Sequence, residues 1–303
     1  MSMFNFDKNK SCKRETKTLQ ELNLIDSFLF GASTEKTQDA EFIAKLIIER
    51  ATGRKIGKVA VVSEKVLTGV DTRYHGIRMD LFIEEYENER TARIYDIEPN
   101  KYGVAELPMR SRYSQALTDV KLLSVGDKYE ELPEYISIWI LPYDPFGKNR
   151  MLYTVQNFVA EDTQIVYNDG VKKLFLYVGG EVGGNEELKN LLHYFSESDA
   201  TNVVDTGLEQ LHSIVETVKG NRELGERFMT VQDIIYYEKK ESFEEGINEG
   251  IQQGIQQTRE ENILVLMDSL KELGISEEQI VEKLMEKYSL SFEEAKTYLN
   301  QSN

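Results

Sequence analysis

The sequence has a single cysteine, Cys12, and only three histidines among its 303 residues. One thiol cannot form a disulfide within the chain, and the histidines lack the spacing of zinc ligands. No run approaches the ~18 consecutive apolar residues of a membrane span, and residues 1–17 lack the apolar stretch of a secretory signal. These absences exclude disulfide-rich, zinc-finger and membrane-spanning proteins and predict a cytoplasmic protein.

The net charge of -17 is unevenly distributed along the chain. Residues 241–303 carry 14 acidic and 5 basic side chains, so half of the acidic excess lies in this terminal region. A chain this acidic does not coat nucleic acid, because phosphate binding needs positive charge. Any contact with DNA must therefore come from a local basic patch in the rest of the protein.

Apolar periodicity separates a mixed part of the sequence from a helical part. Residues 39–50 have helical spacing of apolar side chains, and Gly53 follows as a terminator. A second amphipathic helix is predicted over residues 106–124. Runs of β-branched and aromatic residues predict strands at 59–62, 79–86, 91–98, 135–141, 152–158 and 172–178. This order predicts an α/β fold, with a mixed sheet flanked by helices and an all-helical C-terminal region.

Four regions are predicted along the chain. They are a flexible leader (1–20), a core (21–185), a helical extension (186–258) and a small acidic helical module (259–303). Ser242, Ser276 and Ser291 each precede a glutamate or glutamine by three residues, a spacing typical of capping boxes. They therefore predict three helix starts near the C-terminus.

The helical extension contains a four-residue repeat in which Gly246, Gly250 and Gly254 are each followed by isoleucine. This spacing places the glycines, and separately the isoleucines, along narrow stripes of a helix. Each glycine disfavours a helix by ~1 kcal/mol relative to alanine. The repeat therefore indicates either close helix–helix approach, such as a homodimer contact, or a flexible connector.

The second and third predicted strands form a hairpin that collects acidic side chains. Only one register separates its apolar residues from its acidic ones, and in that register Asp80 opposes Glu98 and Phe82 opposes Asp96. Facing Cβ atoms lie ~5 Å apart, so the carboxylates repel unless one is protonated or a cation lies between them. The pattern fits an Mg²⁺ site, because Mg²⁺ takes hard oxygen ligands. It also fits the solvent-exposed acidic face of an ordinary sheet.

The spacing of Asp80, Glu98 and Asn100 resembles the Asp…Glu-x-Lys/Gln signature of the PD-(D/E)xK nucleases. More specifically, the chain is similar over residues 22–258 to the Rpn-type family of transposase-associated, recombination-promoting nucleases. The other segments that carry this resemblance are NLIDSFLFG at 23–31, GIRMDL at 76–81, LPMRSRYSQ at 107–115, YDPFGK at 143–148 and the Gly-x-x-x repeat.

The resemblance implies a restriction-endonuclease-like fold that cleaves DNA phosphodiesters with an activated water. It implies that Asp80 and Glu98 bind Mg²⁺, for which Mn²⁺ can substitute. Asp96 and Glu41 are candidates for additional site residues, although a glutamate on a helix is commonly just solvated. DNA is the implied partner, and no membrane is involved.

The third position of the signature is usually Gln in this family and Lys in many relatives, but here it is Asn100. Asparagine is shorter than glutamine and lacks the charge of lysine. Pro99 removes a ladder donor and predicts a sheet edge or a bulge, and a bulge would bring Lys101 toward the site as a catalytic residue. This departure leaves a second function open, that of a catalytically degenerate relative that binds nucleic acid or protein.

Arg110, Arg112 and Gln115 begin the helix that follows the third strand and are candidate DNA contacts. Arginine binds phosphate bidentately, but ion pairs with the carboxylates of the sheet are an equal alternative. His75 precedes Asp80 and is a candidate proton shuttle or a plain loop residue. Nucleases that cut both strands often act as dimers, so a homodimer is a further expectation.

Overall fold

The computed structural model of the protein describes residues 17–68, 75–99, 103 and 105–301. The described residues divide into two units, one up to Thr230 and one from Val231 onward. The strands are β1 (Lys58–Leu67), β2 (Ile77–Glu87), β3 (Arg90–Pro99), β4 (Glu134–Leu141), β5 (Leu152–Val155), β6 (Phe158–Val159), β7 (Asp162–Val166) and β8 (Val171–Tyr177). The helices are α1 (Ser27–Ser33), α2 (Thr37–Thr52), α3 (Leu107–Leu122), α4 (Glu186–Ser196), α5 (Thr206–Lys219), α6 (Arg222–Glu272), α7 (Glu277–Tyr288) and α8 (Phe292–Gln301).

A six-stranded mixed sheet forms the centre of the first unit, in the order β1-β2-β3-β4-β8-β5. β1, β2 and β3 are successively antiparallel, whereas β3, β4 and β8 are parallel and β5 is antiparallel to β8. Parallel neighbours need a crossover connection, and α3 lies in the one between β3 and β4. The α/β class, the mixed sheet and the all-helical C-terminal region are confirmed.

Local signals explain where several elements begin and end. Gly53 follows α2 with a φ of 68°, and its N–H bonds to the Glu49 carbonyl, which ends the helix. Pro108 lies in the first turn of α3, where no N–H donor is needed. Asn88 and Glu89 both have positive φ and form the two-residue turn of the β2–β3 hairpin.

The sheet packs differently on its two faces. One face meets α1, α2, α4 and α5 in a large apolar cluster, to which the alternating residues Leu81, Ile83, Tyr95 and Ile97 belong. The other face lies under α3 and contains two smaller apolar clusters, one of which includes Phe82. Between these smaller clusters the second face is polar, and the candidate site lies in this polar part.

The sheet departs from the sequence prediction after β4. Residues 152–158 do not form one strand, because β5 ends at Val155 and Phe158 pairs with Val166 in a separate two-stranded ribbon. The second strand of this ribbon, β7, was not predicted. Its residues are all exposed, so no alternation of buried and exposed positions marks it in the sequence.

Two of the three predicted helix starts near the C-terminus are confirmed. Ser276 accepts a hydrogen bond from the Gln279 N–H, and Ser291 and Glu294 bond reciprocally in a capping box. The start predicted at Ser242 is wrong, since α6 continues through it. The segment 246–257 is therefore helical rather than a flexible connector.

The second unit has a small apolar core of its own. The end of α6 packs with α7 and α8 around Ile263, Met267, Ile280, Leu284 and Leu299. None of the helices in the described ranges combines the length and the apolarity needed to cross a membrane.

One buried arginine joins three helices of the first unit. Arg50 in α2 donates to the Glu187 carbonyl at the start of α4 (2.9 Å) and to Asp205 Oδ1 (2.6 Å). Asp205 caps α5 by accepting the Leu208 N–H (2.9 Å). Arg50 is only 8% exposed, whereas the Asp205 side chain is 33% exposed, so removal of Arg50 leaves Asp205 partly open to water.

We expect Arg50→Met to lower the free energy of unfolding by about 1–2 kcal/mol, because it removes two hydrogen bonds of a buried charged group whose partners water can still partly solvate. Urea titration followed by the fluorescence of buried Trp139 measures this change. Lys55→Met is the matched control, since the Lys55 ammonium that pairs with Glu49 is solvent-exposed and exposed ion pairs contribute little to stability. Equal losses in the two variants would contradict the assignment.

Candidate active site

The β2–β3 hairpin has the predicted register. Phe82 pairs with Asp96, and the Asp80 N–H donates to Glu98 Oε1 at 3.3 Å. Asp80, Asp96 and Glu98 therefore lie on the same face of the sheet, and they are called here the acidic cluster. The predicted separation of acidic and apolar side chains is confirmed, because the alternate residues of both strands lie in the large apolar cluster.

The acidic cluster is buried rather than solvent-exposed. Asp96 is 0% exposed and Glu98 is 6% exposed, while Asp80 is half-buried. The alternative of an ordinary wet acidic face is therefore wrong. α3 lies on this side of the sheet, and its buried positions include the small hydroxyl residues Ser111, Ser114 and Thr118. Short polar side chains let the helix come close to the sheet without placing bulky apolar groups over the carboxylates.

Asp96 is the most deeply buried member of the acidic cluster. Its Oδ2 accepts a hydrogen bond from the Tyr135 hydroxyl at 2.9 Å, whereas its Oδ1 has no partner in the described part of the chain. Burial raises the pKa of Asp96 to about 7, the charge of Asp80 adds to this, and the Tyr135 bond and Arg110 oppose it. A buried carboxylate oxygen without a partner is costly unless a cation or water reaches it.

Glu98 and Asp80 share their environment with Arg110. The Arg110 guanidinium lies 3.9 Å from Glu98 Oε2. Burial raises the pKa of Glu98 well above its ordinary value, and the charges of Asp96 and Asp80 raise it further. Burial also raises the pKa of Asp80 to about 6, against the opposing charges of Arg78 and Arg110. These two arginines thus offset only part of the repulsion in the acidic cluster.

Pro99 ends β3 in the interior of the sheet. β3 lies between β2 and β4, and its parallel register with β4 stays regular up to the pairing of Pro99 with Ile140. The predicted bulge is absent from the β4 side, whereas the described pairing of β3 with β2 reaches only Ile97, so an edge on the β2 side stays a prediction. Pro99 is the last residue of β3 and lacks the N–H donor that would continue this ladder. Asn100 and Lys101, the other candidates for catalysis, lie outside the described residues.

The three candidate DNA contacts in α3 lie in different environments. Arg110 pairs with Glu98 and lies 6.0 Å from the centre of the Trp139 ring. Arg112 is exposed, and its charge, after the larger effect of burial, lowers the pKa of Lys173 on β8. Gln115 donates to Asp119 at 3.4 Å. Arg110 thus makes the ion pair expected as the alternative to a phosphate contact, while Arg112 remains open to solvent.

For Glu41 and the His75 ring, no hydrogen bond or ion pair to the acidic cluster is found among the described residues. Glu41 lies in α2, whose buried residues belong to the large apolar cluster on the opposite face of the sheet. His75 is exposed before β2, and its carbonyl accepts a hydrogen bond from the Tyr113 hydroxyl at 2.5 Å. This bond ties the start of β2 to α3 and does not involve the imidazole ring.

β4 contributes polar groups that the sequence did not assign to the site. Ser137 pairs with Asp96 and Trp139 with Glu98 across the parallel ladder, so both share a face with the acidic cluster. Ser137 Oγ and Trp139 Nε1 are buried and, within the described ranges, make no hydrogen bond. The alternation of Tyr135, Ser137 and Trp139 with isoleucines was the available signal, because it marks a partly polar face beside β3.

The acidic cluster partly fits a divalent cation. Its donors are hard oxygens, it contains an unpartnered buried carboxylate oxygen, and burial, with like charges adding to it, raises the pKa values of Asp96 and Glu98. No three His, Cys, Asp or Glu side chains in the described ranges are placed to enclose a metal ion. Mg²⁺ is commonly held by only one or two carboxylates, with water and substrate phosphate completing its shell. The residues therefore fit a site that is completed by substrate.

Comparison of the chain with models of known protein families, with curated proteins and with solved structures gives no match. Evidence for function therefore comes from the residues of this chain alone.

We expect Asp96→Asn to stabilise the protein at high pH in the presence of EDTA. The folded-state pKa of Asp96 (about 7) lies above its ordinary value of 3.8, so its contribution to stability is present below pH ~4 and lost as the pH rises through 7. Relative to wild type, the variant should gain on the order of 2–4 kcal/mol between pH 4 and pH 8.

Urea titrations at the two pH values measure this gain. Glu87→Gln is the control, because Glu87 is an exposed carboxylate of the same hairpin. A pH-independent difference between wild type and Asp96→Asn would contradict the raised pKa of Asp96.

Proposed function

We propose that the protein is an Mg²⁺-dependent DNA endonuclease that hydrolyses phosphodiester bonds. We further propose that its core is restriction-endonuclease-like and that it belongs with the Rpn-type, transposase-associated PD-(D/E)xK nucleases. The mixed sheet supports this proposal, because its antiparallel β2–β3 hairpin continues through α3 into the parallel strand β4. The segments that carry the resemblance lie in α1, β2, α3 and the turn after β4.

The burial of the acidic cluster carries the proposal. Exposed acidic residues need no function, but Asp96 and Glu98 lie almost fully buried beside Asp80. Such a group lowers the stability of the fold, because burial disfavours the charged forms. Strongly perturbed carboxylates near an arginine are typical of functional sites. A cation bound at the site in the functional protein would offset this loss of folding stability.

Asp80 and Glu98 are the residues that would hold Mg²⁺, or Mn²⁺ in its place. The bound ion would lower the pKa of a water molecule and offset the negative charge of the attacked phosphate. Asp96 precedes Glu98 by two residues on the same face of β3. The Tyr135 hydroxyl holds its carboxylate in place, and its negative charge would strengthen cation binding. The Asp80 N–H holds one oxygen of Glu98 in place.

α3 supplies the positive charge that a DNA backbone needs. Arg112 is exposed, and its charge, after the larger effect of burial, lowers the pKa of Lys173, so we assign phosphate contact to these two neighbouring side chains. Arg110 lies between the acidic cluster and Trp139. Because guanidinium groups bind phosphate and carboxylate in the same way, Arg110 can exchange Glu98 for the substrate phosphate when a cation neutralises Glu98.

A catalytically degenerate relative, acting as a nucleic-acid- or protein-binding module, is the second candidate function. It is favoured by Asn100, which stands at the third position of the signature where the related enzymes have Gln or Lys. Asparagine cannot replace the charge of lysine. The two candidates share a fold and differ in whether the site turns over substrate.

We expect the purified protein to nick supercoiled plasmid in the presence of Mg²⁺ or Mn²⁺. Asp80→Asn and Glu98→Gln should each reduce the nicking rate at least about 100-fold, because each removes a metal ligand without changing side-chain size. Glu87→Gln should retain activity, since Glu87 is exposed at the far end of β2. Nicking that survives both ligand substitutions would contradict the assignment of the site.

Binding to a fluorescent DNA duplex, measured by anisotropy, separates the two candidate functions. DNA binding without nicking by the wild-type protein would favour the degenerate relative. If the Arg112→Ala variant lost both DNA binding and nicking, this arginine would act in binding, before the chemical step.

The third position of the signature gives a separate prediction. If Lys101 supplies the missing positive charge, Lys101→Ala should lower the nicking rate about 100-fold, because one electrostatic contact at the transition state is commonly of that size. Asn100→Ala should then lower it less than about 10-fold. Single-turnover rates at saturating protein measure both effects, and the reverse order would assign the role to Asn100.

A further inference from the structure

The middle of α6 is a solvent-exposed helix whose described contact with α7 is made by Arg259, which donates to the Tyr288 carbonyl. Every residue from 237 to 262 is exposed, although α6 continues without interruption from Arg222 to Glu272. Most helices in proteins are stabilised by tertiary packing of an apolar face, and three glycines weaken this one further. A long exposed helix of this composition therefore needs a partner.

One face of this helix consists of a ridge of isoleucines beside a groove of glycines. Ile247, Ile251 and Ile255 are 39%, 49% and 58% exposed and form a ridge. Beside it, Gly246, Gly250 and Gly254 form a groove, since a Cβ placed at any of them would meet no atom within 4 Å. These six residues are called here the Gly-Ile face. Ridges of one helix pack into grooves of another. The ridge and groove of one Gly-Ile face can therefore fit the groove and ridge of the same face on a second copy.

An antiparallel pair of such helices matches ridge with groove. When the two-fold axis passes between residues 250 and 251, Ile251 of one copy lies level with Gly250 of the other. Ile247 then lies level with Gly254. A parallel pair would instead place isoleucine against isoleucine and leave the glycine grooves facing each other. Shape therefore favours the antiparallel arrangement.

Charge at the two ends of the Gly-Ile face favours the same arrangement. Lys240 lies seven residues before Ile247, and Glu261 lies seven residues after Gly254, so both are about two turns from the ends of the face and on the same side. In the antiparallel pair Lys240 of one copy lies level with Glu261 of the other, at both ends. In the parallel pair lysine would face lysine and glutamate would face glutamate.

We infer that the Gly-Ile face is a homodimer contact in which α6 of one copy packs antiparallel on α6 of a second copy. The two-fold axis passes between Gly250 and Ile251. The isoleucines fill the partner's glycine grooves, and Lys240–Glu261 pairs at the two ends set the direction. This contact is independent of the proposed nuclease activity, because it involves none of the residues assigned to the site.

The mass of the full-length protein in solution tests the inference, measured by light scattering after size exclusion at micromolar concentration. Wild type should have twice the mass of one chain. Ile251→Glu should raise the dissociation constant at least about 100-fold, because two unpaired carboxylates would be buried at the axis. Gln252→Glu adds the same charge about 150° around the helix from the axis, at 100° per residue, and should remain a dimer.

A second variant separates loss of the contact from loss of the helix. Gly250→Leu fills the groove and should give a monomer, although leucine favours helix more than glycine does. Its helical circular dichroism should be at least that of wild type. A monomeric wild type, or a dimer that neither Ile251→Glu nor Gly250→Leu dissociates, would overturn the inference.

Disulfide cross-linking tests the direction of the helices in a background in which Cys12 is replaced by serine. The double variant Ile247→Cys/Gly254→Cys should form a cross-linked dimer on oxidation. Ile247→Cys alone should not, because its two thiols would lie ~10 Å apart along the axis, beyond the reach of a disulfide. Efficient cross-linking of Ile247→Cys alone would show a parallel pair and overturn the antiparallel assignment.

Discussion

Burial of Asp96 and Glu98 on a central strand brings like charges together where water cannot screen them. The surrounding structure compensates for this repulsion only in part. Tyr135 donates to one oxygen of Asp96, the Asp80 N–H donates to Glu98, and Arg110 lies beside Glu98. The hydroxyls of Ser111 and Thr118 donate to carbonyls of α3 itself, so these small residues do not relieve the charge of the carboxylates.

The incomplete compensation connects stability to function. The raised pKa values of the acidic cluster mean that the folded protein without a cation becomes less stable as the carboxylates ionise. A cation that binds only the folded state would reverse this loss, since ligand binding stabilises by mass action. A site that is unfavourable when empty and favourable when loaded is expected for metal-dependent chemistry. A purely structural cluster would gain stability by replacing Asp96 with a neutral residue, and selection for stability alone would favour that change.

Much of the site could be predicted from the sequence because strand alternation is strict. The apolar residues on one face of β2 and β3 allow one register, and that register places Asp80 beside Glu98. The position of α3 was predicted, but its coverage of the acidic cluster was not, since a helix pattern does not say which face of a sheet it covers. The insertion of β8 between β4 and β5 depends on contacts distant in sequence. The glycine spacing of α6 is visible in the sequence, but the sequence does not distinguish a helix–helix contact from a flexible connector. The continuous helix in the structure excludes the flexible connector.

The most direct test of the account is the position of a bound cation. Crystals of the protein grown or soaked with Mn²⁺ at pH 8 would give an anomalous-scattering peak at any ordered manganese. We expect a peak within ~2.0–2.3 Å of carboxylate oxygens from both Asp80 and Glu98, near the range of hard divalent ions, and loss of that peak in Asp80→Asn. Absence of manganese at saturating concentration, with Arg110 still paired to Glu98, would contradict it.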